Sequence, residues 1–147
     1  MIACERGFIE TIDHLIQREA SVNQQDKRQR TALFFALESP GENDDVVAHL
    51  IMKKAEVNMA NNEGWTPLLR ATLKGYHNTM RVLLENGANP KAKVTANHYT
   101  ALHLAVEQGD LDAVKILVPH VELEALTKDK LTALELTRKT LEERGGN

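Results

Sequence analysis

Apolar residues in this chain come in short clusters at helical spacing, separated by polar turns, and one cluster pair is complete enough to serve as a template. It spans residues 61–92, NNEGWTPLLRATLKGYHNTMRVLLENGANPKA. Gly64 suits a turn that needs positive φ, Thr66 is placed as a helix N-cap, and Pro67 falls at the first helical position. Leu68, Leu69 and Ala71 predict a short apolar helix that Gly75 stops. A second helix carries Met80, Val82, Leu83 and Leu84 and ends at Gly87. Neither helix is long enough to be stable alone, so the pair needs neighbours to cover its apolar faces.

The pattern returns. Thr31, Thr66, Thr100 and Thr132 follow one another at steps of 35, 34 and 32 residues, and the segments RTALFFAL, WTPLLRAT, YTALHLAV and LTALELTR align on them. A period in this range marks a solenoid. With these residues the chain resembles the ankyrin repeat family, whose motif is Thr-Pro-Leu-His-x-Ala. The resemblance implies an all-α solenoid of stacked helix-turn-helix units with finger-like turns, three full repeats and two partial ones. The single domain would cover 1–147, with a partial repeat at about 1–25, full repeats at about 26–60, 61–94 and 95–126, and a C-terminal cap at 127–147.

Departures from the template carry further expectations. In the first copy Ala3 aligns with Ala71 and Gly7 with Gly75, so this copy is expected to begin midway through its opening helix. Met1 and Ile2 then leave an apolar end without a polar cap, which suggests a piece of a longer protein. The second copy has Gln29 where the template has its turn glycine, and the insertion SPGENDD lengthens its inter-helix loop. The fourth copy gains one residue, puts His98 at the glycine position and keeps Thr100-Ala-Leu-His103-Leu-Ala105, before Pro119 ends its second helix. The last copy, TALELTRKTLEERGGN, is a charged single helix finishing at Gly145 and Gly146, suited to a polar cap.

Composition narrows the function classes. The formal charge of −3 over 147 residues points to no polyanion, and Cys4 is the single cysteine, so neither a disulfide framework nor a cysteine metal cluster exists. No apolar run reaches membrane-spanning length, and MIACERG does not read as a secretory signal. An intracellular protein, cytoplasmic or nuclear, and monomeric, is expected.

Catalysis and cofactors are not expected, because no nucleophile, base and charge stabiliser converge in the repeat pattern. His14 and His49 share an outer-helix position with no second ligand at i+4, which favours packing or surface roles over metal binding. His77, His98 and His120 read as surface or loop residues, and Cys4 as a small buried hydrophobe. The acidic group Glu38, Glu42, Asp44 and Asp45 lacks calcium-loop spacing and reads as a solvated insertion. The resemblance makes His103 a structural hydrogen-bonding residue between adjacent turns. It also makes Asn23 and Asn58, which end the turns ASVN and AEVN, possible sites of asparaginyl hydroxylation, although such asparagines also bond turn backbone.

The remaining candidates follow from the implied geometry, in which fingers and inner helices form a concave face. The residues just before the motif threonines, Arg30, Trp65, Tyr99 and Leu131, would stand in a row. Lys27 and Arg28 extend its basic end, Asn62, Glu63 and Asn97 flank the rings, and Leu73, Lys74, Glu107 and Gln108 come from inner helices. Trp, Tyr and Arg dominate interface energetics, so the expected function is a non-catalytic module binding a partner protein or peptide on this face, with Trp65 and Tyr99 as anchors and Arg30, Lys27 and Arg28 meeting acidic groups. The alternative is oligoadenylate-like nucleotide or oligonucleotide recognition, with bases stacked on Trp65 and Tyr99 and phosphates at Arg30, Lys91 and Lys93. The negative net charge weighs against nucleic acid.

Overall fold

The structure, a computed structural model, describes residues 5–121, 127 and 130–145, with eight α-helices and no strand among them. They are α1 (Glu5–Gln17), α2 (Ala32–Glu38), α3 (Asp44–Met52), α4 (Pro67–Lys74), α5 (His77–Glu85), α6 (Ala101–Gln108), α7 (Leu111–Leu117) and α8 (Ala133–Gly145). A single 3₁₀ turn, Val118–His120, contains Pro119 and closes α7. The even-numbered helices stack as one row, α2 on α4 on α6 on α8, and the odd-numbered helices as a second row. The expected all-α solenoid is the fold.

Local chemistry explains the helix boundaries. Thr31 Oγ1 accepts from the Phe34 amide and Thr66 Oγ1 from the Leu69 amide, each at 3.3 Å, so the motif threonines satisfy otherwise unpaired N–H groups. Glu135 joins Thr132 in a reciprocal box, accepting from the Thr132 amide at 2.8 Å. Inner helices α4 and α6 stop at left-handed Gly75 (φ 70°) and Gly109 (φ 69°). Outer helices α1, α3 and α5 end alike, with the amides of Ala20, Ala55 and Ala88 bonding back to Leu15, Leu50 and Leu83.

One expectation fails in the first copy. Gly7 does not stop a helix as Gly75 does, because α1 runs through it without a break. Glycine permits a left-handed stop without enforcing one. Met1, Ile2, Ala3, Cys4 and Gly146 lie outside the described residues.

The core lies between the two rows. Leu33, Leu68 and Leu69 from the inner helices meet Val47, Leu50, Met80, Leu83 and Leu117 from the outer ones, all at 2 % exposure or less. On the finger side, four residues at the same phase take positive φ: Gln29 (60°), Gly64 (82°), His98 (59°) and Lys130 (60°). Only Gly64 has a steric reason to be glycine as well. A Cβ there would collide with Thr95 Oγ1 and sit 2.9 Å from the Thr95 backbone nitrogen, because the Thr95 amide donates to the Glu63 carbonyl at 3.1 Å.

This contrast gives a paired prediction. Gly64→Ala should cost at least about 2 kcal/mol, from left-handed strain of roughly 1–2 kcal/mol plus the clash, whereas Gln29→Gly should be neutral or stabilising by a fraction of that. Urea unfolding of both variants beside the wild type checks it. Equal stability of Gly64→Ala and wild type would contradict the close finger contact.

Candidate functional site

The second and third fingers are each built on a short polar residue. Asp26 Oδ1 accepts from the amides of Arg28 and Arg30, both at 2.8 Å, and Asn61 Oδ1 accepts from Glu63 (3.0 Å) and Trp65 (2.9 Å). Backbone bonds close the same loops, from the Asp26 amide to the Arg30 carbonyl and from the Asn61 amide to the Trp65 carbonyl, 3.0 Å each. Adjacent fingers are tied together, since the Asn62 amide donates to the Arg28 carbonyl at 3.1 Å. Asp26 and Asn61 were not among the expected site residues. Their signal is an Asp or Asn four positions before Arg30 and Trp65, the spacing of a side-chain-closed turn, whereas Thr95 and Thr127 stand at that place before Tyr99 and Leu131.

Between the second and third fingers lies a groove of about 130 Å³ lined by Arg28, Arg30, Phe34, Glu38, Asn61, Asn62, Glu63, Trp65 and Arg70. It brings together five of the expected residues: Arg28, Arg30, Asn62, Glu63 and Trp65. Trp65 is partly buried and rests on the core, and so does Tyr99 further along, with its ring 5.6 Å from that of His103. Arg30 does not extend into solvent. Its guanidinium grips Asp26 Oδ2 through Nε (2.9 Å) and Nη2 (2.7 Å) and lies 4.3 Å above the Phe35 ring. The Arg30 guanidinium and backbone N–H groups hold the Asp26 carboxyl below its ordinary range.

Other expected residues lie outside this groove. Lys27 and Lys74 are exposed, Asn97 accepts from the Tyr99 amide at 3.1 Å, and Glu107 is exposed on α6. Gln108 crosses between repeats, its Nε2 donating to the Leu73 carbonyl at 2.8 Å. Leu131 is partly buried, and its carbonyl lies 3.4 Å from His103 Nε2 while His103 Nδ1 sits 2.7 Å from Thr100 Oγ1. His103 therefore links two neighbouring fingers through a fully buried ring.

Asn23 and Asn58 make matching clasps to the following repeat. Asn23 Nδ2 donates to the Lys54 carbonyl (3.1 Å) and its Oδ1 accepts from the Glu56 amide (2.8 Å). Asn58 does the same with Gly87 (2.9 Å) and Asn89 (2.7 Å). Both side chains thus serve the stack, bonding the next repeat's turn.

Two surface readings change. The acidic insertion is not merely solvated: Glu42 Oε1 accepts from the Thr79 amide at 2.8 Å, and Asp44 Oδ1 takes the Thr79 hydroxyl at 2.9 Å. Helix α5 has no side-chain cap of its own at Tyr76, so the preceding repeat supplies the carboxylate that its N-terminus favours. His77 is likewise a bridge, with Nε2 at 2.8 Å from Asp110 Oδ2. The outer row has an equivalent contact from His49 and Lys53 to Asp13, at 2.9 and 2.8 Å. These contacts span more than thirty residues of sequence, and no local motif announces them.

A larger groove, about 400 Å³, opens on the outer row between α5 and α7, lined by Arg81, Leu84, Glu85, Asp112, Lys115, Ile116 and His120. Its charges are mixed and it holds no tryptophan or tyrosine, the residues that most often anchor interfaces. Among the described residues no three metal-ligating side chains gather, and no helix is long and apolar enough to cross a membrane.

Comparison with known proteins identifies the type of repeat. A three-copy model of ankyrin repeats matches residues 1–94, and a many-copy model matches 74–118. The chain belongs to the ankyrin repeat family. It is 32% identical over 140 residues to human Rabankyrin-5, a match covering 92% of this chain and 12% of that protein. Over 134 residues it is 31% identical to the ankyrin repeat and KH domain-containing protein mask-1 of Caenorhabditis elegans, covering 90% of this chain and 5% of the relative. The putative ankyrin repeat protein FPV024 of fowlpox virus (strain NVSL) is 33% identical over 86 residues, 57% of this chain and 14% of that protein. The chain thus spans only a small fraction of these relatives' lengths. Ankyrin repeats are generally protein–protein interaction modules, and the fold is typically non-enzymatic.

Electrostatics of the frame predict acid lability. Burial pushes the Asp110 carboxyl up, but bonds from the Ala113 amide and the His77 ring outweigh it, so its pKa falls below the ordinary value; Lys53 and then His49 lower that of Asp13. A carboxylate whose pKa is lower folded than unfolded stabilises the fold above the unfolded value, about pH 4, and that contribution vanishes as pH falls through the folded one. Unfolding midpoints should therefore hold steady above about pH 5 and drop below about pH 4, with a shallower drop for Asp110→Asn. An Asp110→Asn profile parallel to wild type would contradict this role. Separately, Glu42→Ala should cost about 1 kcal/mol in urea unfolding, as loss of an N-terminal cap does. A cost near zero would show that the cap from the preceding repeat is idle.

Proposed function

We propose that this chain is a non-catalytic interaction module, intracellular and monomeric, that binds a partner protein or peptide on its concave face. The observation that carries the reading is the groove in which Arg28, Asn62, Glu63 and Trp65 converge between two hydrogen-bonded fingers. An indole on a finger is not demanded by the fold, since Arg30, Tyr99 and Leu131 occupy its place in the other copies. Tyr99, Asn97, Leu73, Lys74, Glu107 and Gln108 extend the surface toward α6, and Lys27 extends it the other way. Acidic groups of the partner are met by Arg28 and Lys27; Arg30 acts instead as a brace, since Asp26 already neutralises it. No observation favours the oligonucleotide alternative: the groove mixes arginines with Glu38 and Glu63, and Trp65 and Tyr99 each pack against the core.

Trp65→Ala should weaken capture of a partner by more than about 1 kcal/mol, the scale of an interface anchor, with a smaller loss of stability because the indole also rests on the core. Pull-down from cell extract beside an Arg81→Ala control, followed by titration of the captured protein, reads the effect. Unaltered affinity for Trp65→Ala, or a loss with Arg81→Ala instead, would move the site off the concave face.

A further inference from the structure

At the floor of the finger groove sits Arg70, one turn into α4. Its counterparts four residues after the other motif threonines are Phe35, Leu104 and Leu136, so a charge interrupts an otherwise apolar column. Leu104 and Leu136 are 4 % and 5 % exposed, and the frame at this register accepts leucine without penalty. Arg70 is instead partly buried, its side chain 23% exposed. Glu38 faces its Nε at ion-pair contact, yet no acceptor is aligned with that buried N–H. Its two Nη groups make no hydrogen bond among the described residues. A guanidinium offers five donors in a planar fork, and Glu38 meets it at the Nε edge. Taking a charge into a column built for leucine costs desolvation, and a second carboxylate on the fork would offset more of it than Glu38 alone.

We infer that the groove between the second and third fingers receives an acidic side chain, aspartate or glutamate, from an extended partner peptide, with Arg70 as the fork at its floor and Trp65 as its wall. This rests on the concave-face reading and narrows it. A volume of about 130 Å³ admits one side chain rather than a folded element. Arg28, exposed at the rim, adds positive potential, whereas Arg30 is already neutralised by Asp26. Glu38 and Glu63 in the same lining disfavour a doubly charged phosphate over a singly charged carboxylate. Bidentate pairing of Arg with carboxylate supplies direction as well as attraction, which fixes the register of a peptide lying along the fingers.

The test is selection of a displayed library of random twelve-residue peptides on the wild-type chain. Recovered peptides are then titrated against wild type, Arg70→Leu and Trp65→Ala. Arg70→Leu places at this register the residue that two other copies carry, so it should fold at least as stably as wild type, as thermal unfolding will report. We expect an Asp or Glu at one fixed position beside an apolar residue. Changing that acid to its amide should cost wild-type binding at least tenfold and cost Arg70→Leu binding nothing further. Peptides that depend on Trp65 but show no fixed acid overturn the role of Arg70 and leave the concave face standing. Peptides indifferent to Trp65 overturn both, and a selection that returns no binder overturns the acidic pocket.

Discussion

The helices between the first and the last run from seven to nine residues, too short to be stable as isolated segments in water. Each must therefore be held by its neighbours, and equivalent leucines show how completely. Leu33, Leu68 and Leu102 occupy one position in successive inner helices and are at most 4 % exposed, while Leu134 at that position in α8 is 80 % exposed. In the outer row Leu50 and Leu83 are at most 2 % exposed and their counterpart Leu15 is 52 % exposed. Burial is thus a property of having a repeat alongside rather than of the residue, which is the physical meaning of a quasi-one-dimensional fold.

Polar contacts between repeats serve that same dependence. The Asn23 and Asn58 clasps, the His103 bridge, the Glu42 cap and the His77–Asp110 contact each join a residue of one repeat to the next. Apolar stacking alone is non-directional and would allow the repeats to slide. Hydrogen bonds with fixed partners set the register between repeats and hold the fingers in line. A groove between two fingers keeps its shape only if that register is kept, so the frame is what positions Trp65 against Arg28 and Arg70.

Much of the frame was legible because it is local chemistry repeated in phase. The threonine caps, Pro67 and the stops at Gly75 and Gly109 each act within one turn of helix, whereas Gln29 and His98 read as departures from the turn glycine and yet keep its left-handed backbone. Gly7 misled because the same residue type can also sit within a helix. Side-chain commitments were harder to read. Arg30 has a finger position, but its capture by Asp26 needs the folded turn that brings the two together. His77 with Asp110 and Glu42 with Thr79 meet only once repeats are stacked. Arg70 was legible in principle, as a charge in a column of Phe35, Leu104 and Leu136, but the groove it lines forms only when two fingers stand side by side.

The concave face and the wider outer groove are competing surfaces, and backbone amide hydrogen exchange distinguishes them directly. Exchange of the chain would be measured with and without a saturating captured partner. The finger segments 26–30, 61–65 and 94–99 should gain protection together with the exposed ends of α4 and α6, while α5 and α7 stay as they were. Protection concentrated at 81–85 and 112–120, with the fingers unaffected, would contradict the account.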